Sequence, residues 1–187
     1  MLVIACVLIG VLLVPLAGGR LARLADVRLR DRWLLVLALA AQIVVIEVVS
    51  QASGTARVVH VLTYALAGLF VVRNRRVPGL LLLGVGAALN VLTIGVNGGT
   101  LPADAGALAR AGIEPEPGEF VNSGVLADAH LWFLGDVFAW PEPMPFANVF
   151  SVGDVLIVAG AVWGAHRICR RADAPPTTVE PRETMAA

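Results

Sequence analysis

Residues Leu131 to Gly160 read LWFLGDVFAWPEPMPFANVFSVGDVLIVAG, and this stretch decides how the rest of the chain is interpreted. An aromatic, proline-rich segment passes directly into an apolar stretch, with Asp136 and Asp154 on either side of the change. A carboxylate at the edge of an apolar helix is costly in a membrane unless it has a structural or chemical role. The two aspartates are therefore the first candidates for function.

The composition of the chain is that of a protein embedded in a membrane. Of its 187 residues, 58% are hydrophobic and 15% are charged, and the mean hydropathy is +0.81. That apolar fraction exceeds what a soluble domain of this size can bury. Apolar windows of about 17–25 residues, long enough to cross a bilayer, recur along the chain. The sequence therefore predicts an all-α bundle of transmembrane helices.

Five transmembrane helices are predicted within one membrane domain over residues 1–171. The predicted spans are 1–18, 33–50, 56–72, 79–98 and 152–169. No positive charge precedes the first apolar run, which favours a retained span over a cleaved signal peptide. The loop over 100–150 joins the last two spans, and a short helix is expected in it between Pro102 and Ala111. The polar tail over 172–187 is rich in Pro and Thr and is predicted to be disordered.

Charge is strongly segregated along the chain although the formal net charge is zero. Every basic residue is arginine, and twelve of the fourteen lie in the segments 20–32, 73–76 and 167–182, which five spans put on one side. The loop over 100–150 carries one arginine against seven acidic residues. The positive-inside rule then predicts the N-terminus outside and the C-terminus in the cytoplasm. The arginine-only composition, rich in Ala, Val, Leu and Gly, indicates a high-GC bacterial genome, and the expected location is the bacterial cytoplasmic (inner) membrane.

Polar side chains inside the predicted spans are expected to find partners there. Glu47 and His60 lie at similar depth in spans two and three, so we expect Glu47 to pair with His60 or with the nearby Arg57. Such a buried pair is either a packing clamp or a ligand or proton site. Asn90 and Asn97 lie on one face of span four, where they serve either interhelical hydrogen bonds or ligand contacts. The upper end of this face points at the long loop.

Asp136 and Asp154 each have a structural and a chemical explanation. Ser151 and Asp154 fit the S-x-x-D start of a helix, with Ser151 as the N-cap, and Asp136 lies in a predicted turn. In the chemical explanation the loop brings both carboxylates together, and the pair shares a proton and acts on a water molecule. A divalent cation held with His130 or Glu142 is the weaker alternative. The spacing matches no metal signature, so neither a metal nor a cofactor is predicted.

The long loop is also the aromatic part of the chain. Seven of the eleven aromatic residues lie between positions 120 and 150. Aromatic rings favour the headgroup layer, so the loop is expected to be partly re-entrant and to lie on the outer leaflet as an interfacial belt. The alternative is a lid over a cleft. In that case the predicted ligand contacts are Asn90, Asn97, Trp132, Trp140 and Asn148.

Four short motifs resemble an uncharacterised family of bacterial multi-pass membrane proteins, a domain of unknown function found in actinobacteria and some firmicutes. The motifs are Gly18-Gly19-Arg20, Asn97 to Pro102 (NGGTLP), Leu134-Gly135-Asp136 and Asn148 to Asp154 (NVFSVGD). The resemblance covers nearly the whole chain. It implies a membrane location and brings no activity with it.

A second, local resemblance concerns Phe146 to Ile157, FANVFSVGDVLI. This stretch is similar to the last motif of lipoprotein signal peptidases, in which a Phe-Asn-x-Ala-Asp run opens the final span and supplies one catalytic aspartate. The resemblance implies that role for Asp154. The Asn-to-Asp spacing is longer here, and Asp136 lacks the Gly-Asn before it and the Arg after it that mark the other catalytic aspartate.

Together these patterns favour a non-enzymatic membrane protein that binds a lipid-like or small ligand, or a partner, at the outer membrane face. An intramembrane aspartyl hydrolase or peptidase using Asp136 and Asp154 is the alternative, and a structural subunit of a membrane complex is a third. The expected partners are membrane lipids and a membrane protein or second copy of the chain. Nucleic-acid binding is not predicted.

Overall fold

The computed structural model describes residues 1–48, 54–114 and 123–170, with the backbone alone for 42–48 and 54–61. This part of the chain is mostly helical. Its helices, α1 to α6, are Leu2–Leu12, Arg32–Val48, Gly54–Arg73, Leu80–Val96, Ala105–Arg110 and Val152–Cys169. The tail over 172–187, predicted to be disordered, lies outside the described residues.

The helices agree with the predicted spans to within a few residues, except at the end of α1. This helix ends at Leu12, well before the predicted boundary at residue 18. Pro15 has no amide hydrogen and cannot continue an α-helix, and the chain instead forms a 3-10 turn over Pro15–Ala17. The short helix expected between Pro102 and Ala111 is confirmed as α5.

By length and hydropathy, one helix in the described part of the chain can cross a membrane, namely α6. The other apolar helical stretches are shorter, at 10–17 residues. They are Leu2–Leu12, Arg32–Ala41, Leu62–Arg73 and Leu80–Val96. Helix length and composition therefore support one membrane span and do not support the predicted bundle of five.

Helix α6 lies at the centre of the fold, where it packs against α4 and α1, while α3 joins α2 to this group. Helices α4 and α6 run in opposite directions, since Gly79 contacts Gly164 and Gly86 contacts Gly153. A side chain at Gly160 would overlap the backbone of α4. The GxxxG spacing of Gly160 and Gly164 thus lets the backbones of α4 and α6 touch.

The described residues of the segment 97–150, namely 97–114 and 123–150, are called the loop unit below and fold around a small apolar core. Strand β1 (Leu101–Pro102) pairs in parallel with β2 (Ser123–Gly124), and β3 (Phe138–Trp140) pairs in antiparallel fashion with β4 (Asn148–Phe150). Apolar side chains from α5 and the neighbouring strands form the core, and the buried ones are Ala103, Ala107, Leu108, Ala111 and Val149. The all-α prediction was wrong here, because strands of two or three residues carry no readable alternation.

The arginine-rich segments meet at the other end of the bundle. The backbone N–H of Arg20 donates to the carbonyl of Cys169 at 3.0 Å. The side-chain amide of Asn74 donates to the carbonyl of Arg30 at 2.9 Å. The loop between α1 and α2, the turn after α3 and the end of α6 therefore form one arginine-rich end, opposite the loop unit.

Candidate functional site

The start of α6 and the middle of α4 are joined by a ring of three polar side chains. Ser151 is fully buried, its hydroxyl accepts from the N–H of Asp154 at 3.0 Å, and a carboxylate oxygen of Asp154 accepts from the N–H of Ser151 at 3.2 Å. Asn90 closes the ring, since its amide donates to Asp154 at 3.0 Å and its oxygen accepts from the Ser151 hydroxyl at 2.8 Å. The capping role predicted for Ser151 and Asp154 is confirmed.

Asn97 fixes the loop unit to the end of α4. Its side-chain amide donates to the carbonyl of His130 at 2.7 Å, and its oxygen accepts from the His130 N–H at 2.8 Å. Both polar atoms of the Asn97 side chain therefore bind the backbone of one loop residue, His130. The polar face of α4 points at the loop, as expected, and Asn97 lies at its end.

Asp136 is buried inside the loop unit, with 6% of its surface exposed. Its backbone N–H donates to the carbonyl of Pro102 at 2.8 Å, and its carbonyl accepts from the N–H of Asp104 at 3.1 Å. Its carboxyl group is hydrogen-bonded to Ser123 on β2. The residue is thus held against β1 and β2 and is not the self-contained turn that its Gly-Asp sequence predicts.

Burial raises the pKa of the Asp136 carboxyl from 3.8 to about 6. The hydrogen bond with Ser123 acts in the opposite direction, and the neighbouring charge of Asp154 raises this pKa further. The fold therefore brings the two aspartates within electrostatic reach of each other. Asp136 can gain or lose a proton close to neutral pH.

This arrangement is better suited to holding a proton than to hydrolysis. Asp154 already accepts hydrogen bonds from Asn90 and from the helix start, and Asp136 is almost completely buried. A catalytic acid or base has to reach the water or substrate group with which it exchanges a proton. Neither aspartate lines either of the two cavities described for this structure.

The aromatic ligand contacts predicted from the sequence do not form a common pocket with Asn90. Trp132 is 62% exposed and packs edge-on against Phe133, with ring centroids 6.2 Å apart. Trp140 and Asn148 face each other across β3 and β4, and the indole N–H of Trp140 donates to the carbonyl of Pro145 at 3.1 Å. These rings are presented at the surface of the loop unit.

A cavity of about 460 Å³ that is open to solvent lies at the surface of the loop unit. Its wall contains Leu108, Ile113 and Val125 together with Glu114 and Glu142. Cavities of this size with mostly apolar walls and a few polar groups are typical of small-molecule sites. Sequence reasoning missed these two glutamates as cavity residues, because Glu142 reaches the cavity only through the folding of β3 against α5.

The predicted buried pair of Glu47 and His60 cannot be followed here, since both side chains lie outside the described residues. Among the described residues, no group of three or more His, Cys, Asp or Glu side chains is placed to hold a metal ion. Sequence reasoning also missed His166, whose ring nitrogen Nε2 lies 2.9 Å from the carbonyl of Gly10 and links α6 to α1.

The family of this chain is shown by residues 26–164, which match the model of DUF5317, a family of unknown function. The chain belongs to the DUF5317 family. The match includes the NGGTLP, Leu134-Gly135-Asp136 and NVFSVGD motifs and begins after Gly18-Gly19-Arg20. It therefore covers the α4–α6 ring, the loop unit and part of the arginine-rich end.

A relative of this DUF5317 chain is an uncharacterised protein of Thermotoga maritima. The two are 30% identical over 99 residues, which is 53% of this chain and 57% of the relative. The chain thus aligns with little more than half the length of that relative. No solved structure matches the chain.

Proposed function

We propose that this DUF5317 protein crosses the membrane five times. The first span consists of α1 together with the 3-10 turn Pro15–Ala17, and the others are α2, α3, α4 and α6. The observation that supports this is the contact between α4 and α6, which lie against each other along α4 from Gly79 to Asn90. If α6 crosses the bilayer, α4 lies in the same apolar layer. Its 17 residues extend about 25 Å at roughly 1.5 Å per residue, close to the hydrocarbon thickness.

The outer surfaces of the helices support the same arrangement. Large apolar side chains are exposed on every proposed span, and they include Ile4, Leu8, Leu37, Leu39, Leu62, Leu69, Leu81, Leu92, Val155 and Trp163. A soluble protein exposes few contiguous apolar patches of this extent, whereas lipid-facing helices require them. In the proposed orientation the arginine-rich end faces the cytoplasm and the loop unit lies outside.

Within this topology the protein binds a small amphiphilic ligand at the outer face without chemical turnover. The cavity in the loop unit is the observation that carries this function. Its apolar wall accommodates an apolar body, and Glu114 and Glu142 favour a ligand with a cationic or hydrogen-bond-donating head. The exposed rings of Trp132, Phe133 and Phe146 seat the unit in the headgroup layer, where such molecules accumulate.

Titration of the protein in lipid nanodiscs with 2-phenylethylamine and with the neutral 2-phenylethanol tests this function. We expect the amine to bind more tightly than the alcohol. The substitution Glu142→Gln should weaken amine binding by about tenfold, since a hydrogen bond to a charged group contributes on the order of 1.5 kcal/mol.

Asp128→Asn is the matched control, because Asp128 is an exposed acid of the same unit outside the cavity. Its amine affinity should equal that of the unaltered protein. An equal loss in both variants, or no saturable binding of either compound, would show that the cavity is not the binding site.

The hydrolase alternative is supported by the raised pKa of Asp136 beside Asp154. Burial of Asp136 and the capping bonds of Asp154 weigh against it. It would require a turnover that Asp136→Asn abolishes while the protein remains folded.

A further inference from the structure

A second and larger cavity, of about 750 Å³, lies at the arginine-rich end of the bundle. Three parts of the chain surround it: the loop between α1 and α2, the turn between α3 and α4, and the last turn of α6. Its polar wall consists of six arginines, one aspartate and one asparagine, namely Arg20, Arg23, Arg28, Arg30, Arg73, Arg76, Asp26 and Asn74.

The positive charge of the cavity wall favours an anionic ligand. Six guanidinium groups line one space together with a single wall carboxylate, that of Asp26. A second carboxylate, that of Asp31, pairs with Arg73 at 2.6 Å, so two acidic groups stand against six positive charges and the wall keeps a positive excess. Guanidinium groups are planar forks of N–H donors that bind phosphate oxygens in pairs. A phosphate group is the ligand chemistry that this wall fits.

The cavity is held open by hydrogen bonds that involve buried groups. Asn74 is only 4% exposed. Its oxygen accepts from the N–H of Arg30 at 2.7 Å, and its amide donates to the carbonyls of Arg30 at 2.9 Å and Phe70 at 2.8 Å. On another side, the guanidinium of Arg23 donates to the carbonyl of Cys169 at 2.9 Å. Arginines that only set the orientation of a membrane protein do not need hydrogen bonds that fix their positions. The hydrogen bonds of Asn74 and Arg23 therefore indicate that the cavity wall is preorganised.

The size and the apolar part of the wall indicate more than a free phosphate ion. Cavities of roughly 300–1,000 Å³ hold whole small molecules. Val27, Val77, Pro78 and Ile168 also line the space, next to the ends of α4 and α6. In the proposed topology this is the cytoplasmic boundary of the membrane, where anionic headgroups are concentrated and where basic pockets between helices bind them.

From these observations we infer that the arginine-rich cavity binds a phosphate group, supplied by the headgroup of an anionic phospholipid. This site is separate from the loop-unit cavity and rests only on the proposed membrane location. If phenylethylamine does not bind the loop-unit cavity, the proposal for the arginine-rich cavity is unaffected.

The experiment compares two double variants that remove the same charge. Arg28→Gln with Arg76→Gln alters the cavity wall, whereas Arg32→Gln with Arg75→Gln alters neighbouring arginines that do not line it. Each protein is purified in detergent and titrated with phosphatidylglycerol, and bound lipid is counted by native mass spectrometry. We expect the cavity variant to bind the lipid about 30-fold more weakly, at about fivefold for each arginine. The control variant should bind as the unaltered protein does.

A second arm identifies the source of the phosphate. In phosphatidylcholine nanodiscs, inorganic phosphate and glycerol 3-phosphate are titrated by calorimetry. Weak binding of both, with tight retention of phosphatidylglycerol, supports the lipid headgroup. Tighter binding of the soluble phosphates than of the lipid overturns the headgroup as the source. Equal loss of lipid binding in both double variants overturns the site itself. Circular dichroism and the charge-preserving Arg28→Lys with Arg76→Lys variant separate lost binding from lost folding.

Discussion

The carboxyl of Asp136 is costly to ionise in the folded protein because it is buried in the loop unit. Its pKa is about 6 when folded and 3.8 at its ordinary value, so the folded state holds the proton more strongly than the unfolded state does. The resulting stabilisation is complete below about pH 4 and is lost as the pH rises through 6. The loss amounts to about 3 kcal/mol.

We therefore expect Asp136→Asn, which resembles the protonated residue, to lack this loss of stability between pH 4 and 7. Unfolding followed by circular dichroism in a mild detergent measures the difference. Asp128→Asn removes an exposed carboxylate of the same unit and should keep the pH dependence of the unaltered protein. Parallel pH curves for Asp136→Asn and the unaltered protein would contradict the burial of this carboxyl.

The two aspartates also show how far single residues can be predicted from sequence. The capping role of Asp154 was predictable because its partner, Ser151, is three positions away, and a helix start is a local feature. Asp136 was not, because its partners Pro102 and Ser123 are distant in the chain. Asp136 is buried because it lies against the paired strands β1 and β2, and no local sequence pattern predicts that pairing.

At the scale of the elements, the contact of α4 with α6 depends on Gly160. A methyl group there would meet the backbone of Leu83 and Gly79, which cannot move as a flexible side chain can. We expect Gly160→Ala to destabilise the protein by about 1–3 kcal/mol, the usual range for overpacking. Thermal unfolding in detergent measures the effect.

Gly68→Ala in α3 is the matched control, since a methyl group at Gly68 would meet no atom within 4 Å. Alanine is favoured over glycine inside a helix by about 0.5–1 kcal/mol, so this variant should be neutral or stabilised. If the two variants unfold at the same temperature, the helices do not approach as closely as described.

Elements were predictable where their signal was long. The apolar runs of α2, α3, α4 and α6 located these helices to within a few residues, because a helix of many turns repeats its pattern. The strands of the loop unit were not predicted, because two or three residues are too few to show the alternation typical of a strand. The early end of α1 at Leu12 could have been anticipated from Pro15.

At the scale of the whole molecule, the proposed topology predicts opposite locations for the two ends of the bundle. In a protein without Cys6 and Cys169, single cysteines are placed at the exposed positions Ala127, in the loop unit, and Ala25, at the arginine-rich end. A membrane-impermeant maleimide applied to intact cells should label Ala127→Cys. Ala25→Cys should be labelled only after permeabilisation. Labelling of both in intact cells would contradict the five-span topology.

The arginine-rich segments, which were predicted to lie on one side of a membrane, meet at one end of the bundle. The sequence did not reveal a cavity there, because the wall depends on Asn74 contacting a loop some 40 residues earlier in the chain. The placement of Asn74 between arginines gave no sign of this role. Both cavities form where segments that are distant in the sequence come into contact. Such contacts are difficult to predict from local sequence patterns.

The ring of Asn90, Ser151 and Asp154 also bears on the order in which the protein is made. In the proposed topology α4 enters the bilayer during synthesis with the amide of Asn90 lacking its two partners, which belong to a segment not yet translated. An unpaired amide in hydrocarbon is unfavourable. Arrival of α6 supplies both partners at once and draws the ends of the intervening segment together. In the proposed topology, the final helix thus completes the hydrogen bonding of a polar side chain in an earlier one.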